Sequence, residues 1–81
     1  MAWFLYVVQC SDGSLYTGIT TDISRRVKEH NAKKGASCVR GRIPVKLVYQ
    51  EHVPDRSCGL KREAELKRLT RKEKLALVGL S

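Results

Sequence analysis

The chain has 81 residues, with 16 lysines and arginines against eight acidic residues and a formal net charge of +8 at pH 7. A domain of this size buries only about 60% of the surface its unfolded chain exposes, so one domain over residues 1–81 is expected, with little core to spare. No apolar run approaches the roughly 20 residues a membrane-spanning helix needs, and the excess of positive charge points to a polyanion, nucleic acid before all others.

The first residues, MAWFLYVV, lack a basic n-region and a small-residue cleavage site, so no secretory signal is read there. Cys10, Cys38 and Cys58 are odd in number and form no C-x-x-C pair, and His30 and His52 complete no zinc pattern. Three reduced thiols in a cytoplasmic protein are the simplest expectation.

Residues 3–9, WFLYVVQ, are β-branched and aromatic and predict a first strand; residues 14–20, SLYTGIT, predict a second. TTDISRRVKEHN reads as a helix, with Thr21 or Asp22 as N-cap and Ile23 and Val27 at i, i+4. Residues 32–44 form a basic, glycine-containing loop. Residues 45–51 predict a third strand with Val45, Leu47 and Tyr49 alternating, and Pro54-Asp55 opens a second helix that runs to about Leu69. TRKE at Thr70–Glu73 is a capping box, so a short third helix begins there. The order ββαβαα predicts an α+β domain, a three-stranded antiparallel sheet flanked by helices.

Tyr6 and Tyr16 lie on either side of the first turn, and the turn length decides whether they share a face. A two-residue loop at Asp12-Gly13 pairs Tyr6 with Ile19 and sends Tyr16 to the other side. A three-residue loop, Ser11-Asp12-Gly13, pairs Tyr6 with Gly18 and Val8 with Tyr16, and both phenols then point the same way. Both loops are legal locally. Gly18 tilts the choice slightly toward the second, because a glycine within a strand often marks a close approach, and opposite Tyr6 it leaves room for the phenol.

Tyr6 within LYV, the YTG of Tyr16–Gly18, Arg26 and His30 on the following helix, and a later helical glutamate resemble the GIY-YIG nuclease superfamily. The likeness is closest to its small, single-domain bacterial branch, which CSDGSLYTGIT, the EHN after the arginines, KKGA, RGR-PV-LVY and DRS---L-RE--LK-L also fit. It covers nearly the whole chain and implies the same-face register. It also implies a catalytic set of Tyr6, Tyr16, Arg26, His30 and Glu63, with Mg2+ or Mn2+ held at Glu63. Arg25 is the weaker candidate for the helical arginine and Glu65 the fallback for the glutamate. Independently, Arg26 and His30 are at i, i+4 and share one helix face.

The chemistry is coherent. A single carboxylate suffices for Mg2+, which keeps several waters and binds one or two carboxylates plus substrate phosphate. Arg26 can fork onto a phosphate. A tyrosine as general base must overcome a reference pKa of about 10, roughly 4 kcal/mol at neutral pH; Arg26, the metal and the other tyrosine's hydroxyl are the groups expected to lower it. The residues leave open which tyrosine is the base, and whether His30 relays a proton or binds phosphate.

Each of these residues has an ordinary structural alternative. The tyrosines are good strand formers, Arg26 is a common helical charge, and His30 near a helix C-terminus suits the macrodipole. Glu63 pairs naturally with Lys67 at i+4. Trp3 and Phe4 are expected in the core. Lys33, Lys34, Arg40, Arg42 and Lys46 make a phosphate-tracking surface, which positions nucleic acid without reading its sequence.

The expected function is a metal-dependent endonuclease that hydrolyses phosphodiester bonds in DNA with low intrinsic sequence specificity. It would act as a cytoplasmic monomer, with no membrane association and with any targeting supplied by a partner protein. The alternative is a catalytically weak nucleic-acid-binding module, for DNA or RNA, that retains the nuclease fold; a basic protein–protein adaptor ranks third.

Overall fold

The structure is a computed structural model that describes residues 2–34 and 41–79. Strands β1 (Trp3–Gln9) and β2 (Leu15–Thr20) are followed by α1 (Ile23–Asn31), β3 (Lys46–Val53), α2 (Arg56–Lys67) and α3 (Arg71–Leu77). The sheet is antiparallel with β1 in the middle, in the order β2-β1-β3. This is the expected α+β order, ββαβαα.

The β1–β2 turn takes the three-residue form. The Cys10 N–H donates to the Ser14 carbonyl at 2.8 Å and the Gly13 N–H to the Cys10 carbonyl at 2.9 Å. Gly13 sits at φ +86°, the left-handed position that closes such a loop. The Asp12 carboxylate secures it by accepting from the Ser14 N–H at 3.0 Å and the Ser14 hydroxyl at 2.6 Å. Tyr6 therefore pairs with Gly18 and Val8 with Tyr16. Because side chains alternate along a strand, Tyr6, Val8, Tyr16 and Gly18 share one face, and Leu5, Val7, Thr17 and Ile19 share the other.

The third strand departs from expectation in two ways. It runs to Val53, two residues beyond the predicted end, because His52 and Val53 pair with Phe4 and Trp3. Its alternation also breaks: Tyr49 pairs with Val7 but Leu47 with Val8, with the irregularity between Val7 and Val8. Leu47 and Tyr49 thus face opposite sides of the sheet, as a bulged residue between them requires. Trp3 and Phe4 are only half-buried and lie outside the core; Phe4 instead meets the His52 ring edge-on, with centroids 5.4 Å apart.

Helix α1 covers the Tyr6 face. Asp22 caps it by accepting from the Arg25 N–H at 3.0 Å. Ile23 and Val27 pack against the buried cluster of Tyr6, Val8, Cys10 and Val45. At its far end Asn31 clasps the start of β3: Oδ1 accepts from the Val45 N–H at 2.7 Å and Nδ2 donates to the Val45 carbonyl at 3.2 Å.

Helix α2 lies against β2 and β1 on the opposite face. Its approach depends on Gly59, where a Cβ would stand 3.2 Å from Ile19 Cγ2 and 3.3 Å from Val53 Cγ2. Asp55 caps it, and it ends at Lys67 rather than near Leu69, since the Arg68 and Leu69 N–H groups turn back to the Glu65 and Leu66 carbonyls. The capping box at Thr70 and Glu73 opens α3 as expected. The Arg71 guanidinium donates to the Gly13 carbonyl at 3.0 Å, fastening α3 to the hairpin turn. Cys10 is a buried free thiol and Cys58 an exposed one; Cys38 lies outside the described residues.

Candidate active site

The site is built around the ring of Tyr6. This side chain leaves central strand β1 and crosses β2 directly over Gly18. An ideal Cβ at Gly18 would lie 2.6 Å from Tyr6 Oη and 2.8 Å from Cζ, so only glycine admits the phenol there. The ring is 1% exposed, and its hydroxyl ends 3.0 Å from Nε2 of His30 on α1. Tyr16, two residues back from Gly18 on the same face, completes a triangle of rings. Its centroid is 6.4 Å from Tyr6 and 5.3 Å from His30, edge-on to the imidazole.

Arg26 lies one helical turn before His30 and is close enough to oppose the rise in the Tyr6 pKa. Its Nη1 meets Glu29 Oε1 at 3.2 Å. Glu63 approaches from α2, on the other side of the sheet. β2 is an edge strand, and helix α2, which carries Glu63, packs against it. Glu63 is near enough to raise the Tyr6 pKa and also holds Lys67 Nζ at 3.6 Å. Tyr6, Tyr16, Arg26 and His30 thus come together, with Glu63 within electrostatic reach of Tyr6. Glu65 does not join them: its side chain is 63% exposed and turns to Arg62 at 3.8 Å. Arg25 is exposed.

Burial pushes the Tyr6 phenol above its ordinary value of 10.0; Arg26 opposes the rise, while Tyr16 and Glu63 add to it. The second tyrosine therefore acts against ionisation, contrary to the sequence expectation. Burial likewise pushes His30 below 6.5, with Arg26 adding to the drop and Glu29 resisting it. Desolvation overrides the helix C-terminus, and His30 is a neutral imidazole at pH 7 rather than a cation on the macrodipole. Its contact with Tyr6 is an O–H donating to Nε2 or an Nε2–H donating to the phenol oxygen, according to tautomer. Nδ1 is buried with no hydrogen-bond partner among the described residues. Burial disfavours both the phenolate and the imidazolium, so the resting pair is neutral.

Glu29 and Asn31 were not singled out from sequence. Glu29 is legible in retrospect as the acid at i+3 from Arg26; the Asn31 clasp on Val45 joins residues 14 apart and has no local signature.

The family model of the GIY-YIG catalytic domain matches residues 2–76. The chain belongs to the GIY-YIG family. In this GIY-YIG domain the two name-giving triplets are Leu5-Tyr6-Val7 and Tyr16-Thr17-Gly18, and the cross-strand pair Tyr6–Gly18 binds one to the other. The chain is 56% identical over 81 residues to the UPF0213 protein DP2720 of Desulfotalea psychrophila, covering 99% of this chain and 74% of that protein. It is 52% identical over 75 residues to a UPF0213 protein of Staphylococcus aureus, covering 93% and 92%. The solution NMR structure of the UPF0213 protein BH0048 from Bacillus halodurans superposes with a TM-score of 0.63 at 43% identity, covering 100% of this chain and 86% of that one. The domain is therefore of nuclease type, and GIY-YIG nucleases act on nucleic acid. No helix among the described residues is long and apolar enough to cross a membrane.

Of the basic loop, Lys33, Lys34 and Lys46 are exposed, while Arg40 lies outside the described residues. Arg42 is also exposed; its guanidinium meets Asp12 at 3.3 Å and its carbonyl accepts from the Ser11 N–H at 2.7 Å, bracing the β1–β2 turn. An open cleft of about 360 Å³ between that turn and the start of β3 is lined by Gln9, Cys10, Ser11, Gly13, Pro44, Val45 and Lys46 and contains none of the five predicted residues.

No three of the described His, Cys, Asp and Glu residues come together as a metal site. A cation held by the Glu63 carboxylate would keep most of its shell as water and substrate oxygens. That donor set fits Mg2+ or Mn2+ and does not fit Zn2+.

Proposed function

We propose that this protein is a metal-dependent endonuclease that hydrolyses phosphodiester bonds in DNA with low intrinsic sequence specificity. The observation that carries the reading is the contact of Tyr6 with a neutral, buried His30 at 3.0 Å, beside one guanidinium and one carboxylate.

Tyr6 is the general base. A standing phenolate is disfavoured by burial, so the phenol works as a relay: it takes the proton of the attacking water as it hands its own to His30 Nε2. The neutral imidazole is the form able to accept it. Tyr16 stacks edge-on against His30 and holds the ring in plane for that transfer. Arg26 leaves its solvent-screened pair with Glu29 to fork onto the scissile phosphate, where the planar guanidinium matches two phosphate oxygens. Glu63 would hold the divalent cation in place of its contact with Lys67. When bound, Mg2+ or Mn2+ supplies charge neutralisation at the phosphoryl oxygens and help for the leaving oxygen. Lys33, Lys34 and Lys46 contact the phosphate backbone and carry no sequence information, which supports low specificity.

Nicking of supercoiled plasmid in Mg2+ or Mn2+ tests the reading: wild type converts plasmid to open circle and Glu63→Ala does not. Equal nicking by the two proteins would refute it. The pairing of Arg26 with Glu29 and of Glu63 with Lys67 favours the second reading, a binding module of low activity; that reading prevails if neither protein nicks and both bind DNA or RNA with steep salt dependence.

A further inference from the structure

Three side chains on the sheet face away from Tyr6 form a network that the proposed chemistry does not use. Arg62 Nε on α2 donates to Glu51 Oε1 on β3 at 2.9 Å, and the Tyr49 hydroxyl donates to Glu51 Oε2 at 2.6 Å. Both oxygens of one carboxylate are therefore engaged, one by the helix and one by its own strand. All three residues are half-buried. Burial alone would raise the Glu51 pKa, but the bonds from Tyr49 and Arg62 outweigh it and hold the carboxyl below its ordinary value. Glu51 is thus ionised and paired, and it stands opposite Leu5 in the register, on the face that α2 covers.

The place of Arg62 on its helix gives the network its consequence. Helix α2 touches the sheet along Gly59 and Leu66, the two buried residues of the helix. At about 100° per residue, these lie almost in line along the axis. Arg62 falls about 60° to one side of that line and Glu63 about 40° to the other. Arg62 reaches toward β3, and Glu63 toward the β2 edge and Tyr6. Glycine at position 59 brings the helix close but supplies no side chain to resist rolling. Side-chain ends lie about 5–6 Å from a helix axis, so a roll of about 10° moves the Glu63 end by about 1 Å.

We propose that Tyr49, Glu51 and Arg62 are positioning residues: their clamp sets the roll of α2 and thereby places the Glu63 carboxylate for its cation. This rests on the reading of Glu63 as the metal-holding group. A shift of about 1 Å near the chemistry is enough to cost about 10²-fold in rate. A half-exposed ion pair with no positional role would contribute only about 0–1 kcal/mol of stability and nothing to the site.

The test is a Mg2+ titration of the DNA-free protein followed by NMR shifts of the Glu63 amide, with plasmid nicking and with DNA affinity in EDTA measured alongside. Glu51→Ala should weaken Mg2+ binding about tenfold and slow nicking 10–100-fold, with DNA affinity in EDTA within about twofold of wild type. Tyr49→Phe removes one hydroxyl and leaves the fold intact, so it decides the matter if Glu51→Ala does not fold; about threefold weaker Mg2+ binding is expected. Thr70→Ala, which loses the α3 cap, should lower the melting temperature and leave Mg2+ affinity unchanged, separating position from stability. Wild-type Mg2+ affinity in both Glu51→Ala and Tyr49→Phe, with Glu63→Ala losing the metal, overturns the clamp and spares the nuclease reading. Wild-type affinity in Glu63→Ala itself overturns both.

Discussion

Substituting Gly18 with alanine should dismantle the site through a single methyl group. The added Cβ would lie 2.6 Å from Tyr6 Oη, 2.8 Å from Cζ and 3.0 Å from Cε1, where ordinary contact begins at 3.4 Å. The phenol must therefore retreat by about 0.8 Å. It has nowhere to go, being 1% exposed and already 3.0 Å from His30. Overpacking of this kind costs about 1–3 kcal/mol. If the ring swings out and the hydrogen bond to His30 breaks, a buried polar group loses its partner, at a further cost of about 1–3 kcal/mol. A loss of about 2–3 kcal/mol lowers the melting temperature of a domain this size by about 10–20 °C. Nicking should fall about 10²-fold or more, because the relay geometry is lost. Calorimetry and plasmid nicking read the two effects. Gly41→Ala is the matched control: a Cβ there meets nothing within 4 Å, so both properties should stay at wild type. A Gly18→Ala protein with wild-type melting and activity would refute the account of how Tyr6 is seated.

The paired shifts of Tyr6 and His30 predict how stability changes with pH. His30 is depressed below 6.5 in the fold, so the unfolded chain takes up its proton first. The stability His30 contributes is present above pH 6.5 and lost as pH falls toward the folded value. Tyr6 is raised above 10.0, so its contribution is present below pH 10 and lost as pH rises through the folded value. Melting curves across pH should show both declines; a Tyr6→Phe protein that keeps the alkaline one would show that another group causes it. Arg26→Lys retains the charge and loses the fork, so DNA affinity should stay within about threefold while nicking falls about 10²-fold. Equal losses in affinity and rate would mean that Arg26 serves general attraction only.

The parts of this fold that were legible in the sequence are those whose interactions close within a few residues. Asp22, Asp55 and Thr70 each cap a helix with a bond spanning three residues, so the three helix starts are legible locally, with only the choice between Thr21 and Asp22 left open at the first. The hairpin stood at the limit. Asp12-Gly13 serves a two-residue or a three-residue loop equally well, and counting alone could not choose between the registers; the family resemblance favoured the one observed. Beyond that limit the decisive interactions are distant in sequence. His52 and Val53 become strand only by pairing with β1. The bulge that breaks the alternation of β3 exists only relative to its partner strand. Trp3 and Phe4 are hydrophobic yet only half-buried, because burial depends on what lies above them.

The same division runs through the candidate site. The family resemblance supplied the phenols, the guanidinium, the imidazole and the carboxylate, and helical periodicity put Arg26 and His30 on one face. Only the tertiary structure decided that burial holds His30 neutral and the Tyr6 phenol protonated, and that Tyr16 opposes ionisation of its neighbour. It also brought Glu63, on the helix at the far side of the sheet, within electrostatic reach of Tyr6. Composition and short-range spacing are properties of the chain itself, whereas dielectric environment and convergence across a sheet arise only when segments distant in sequence pack together.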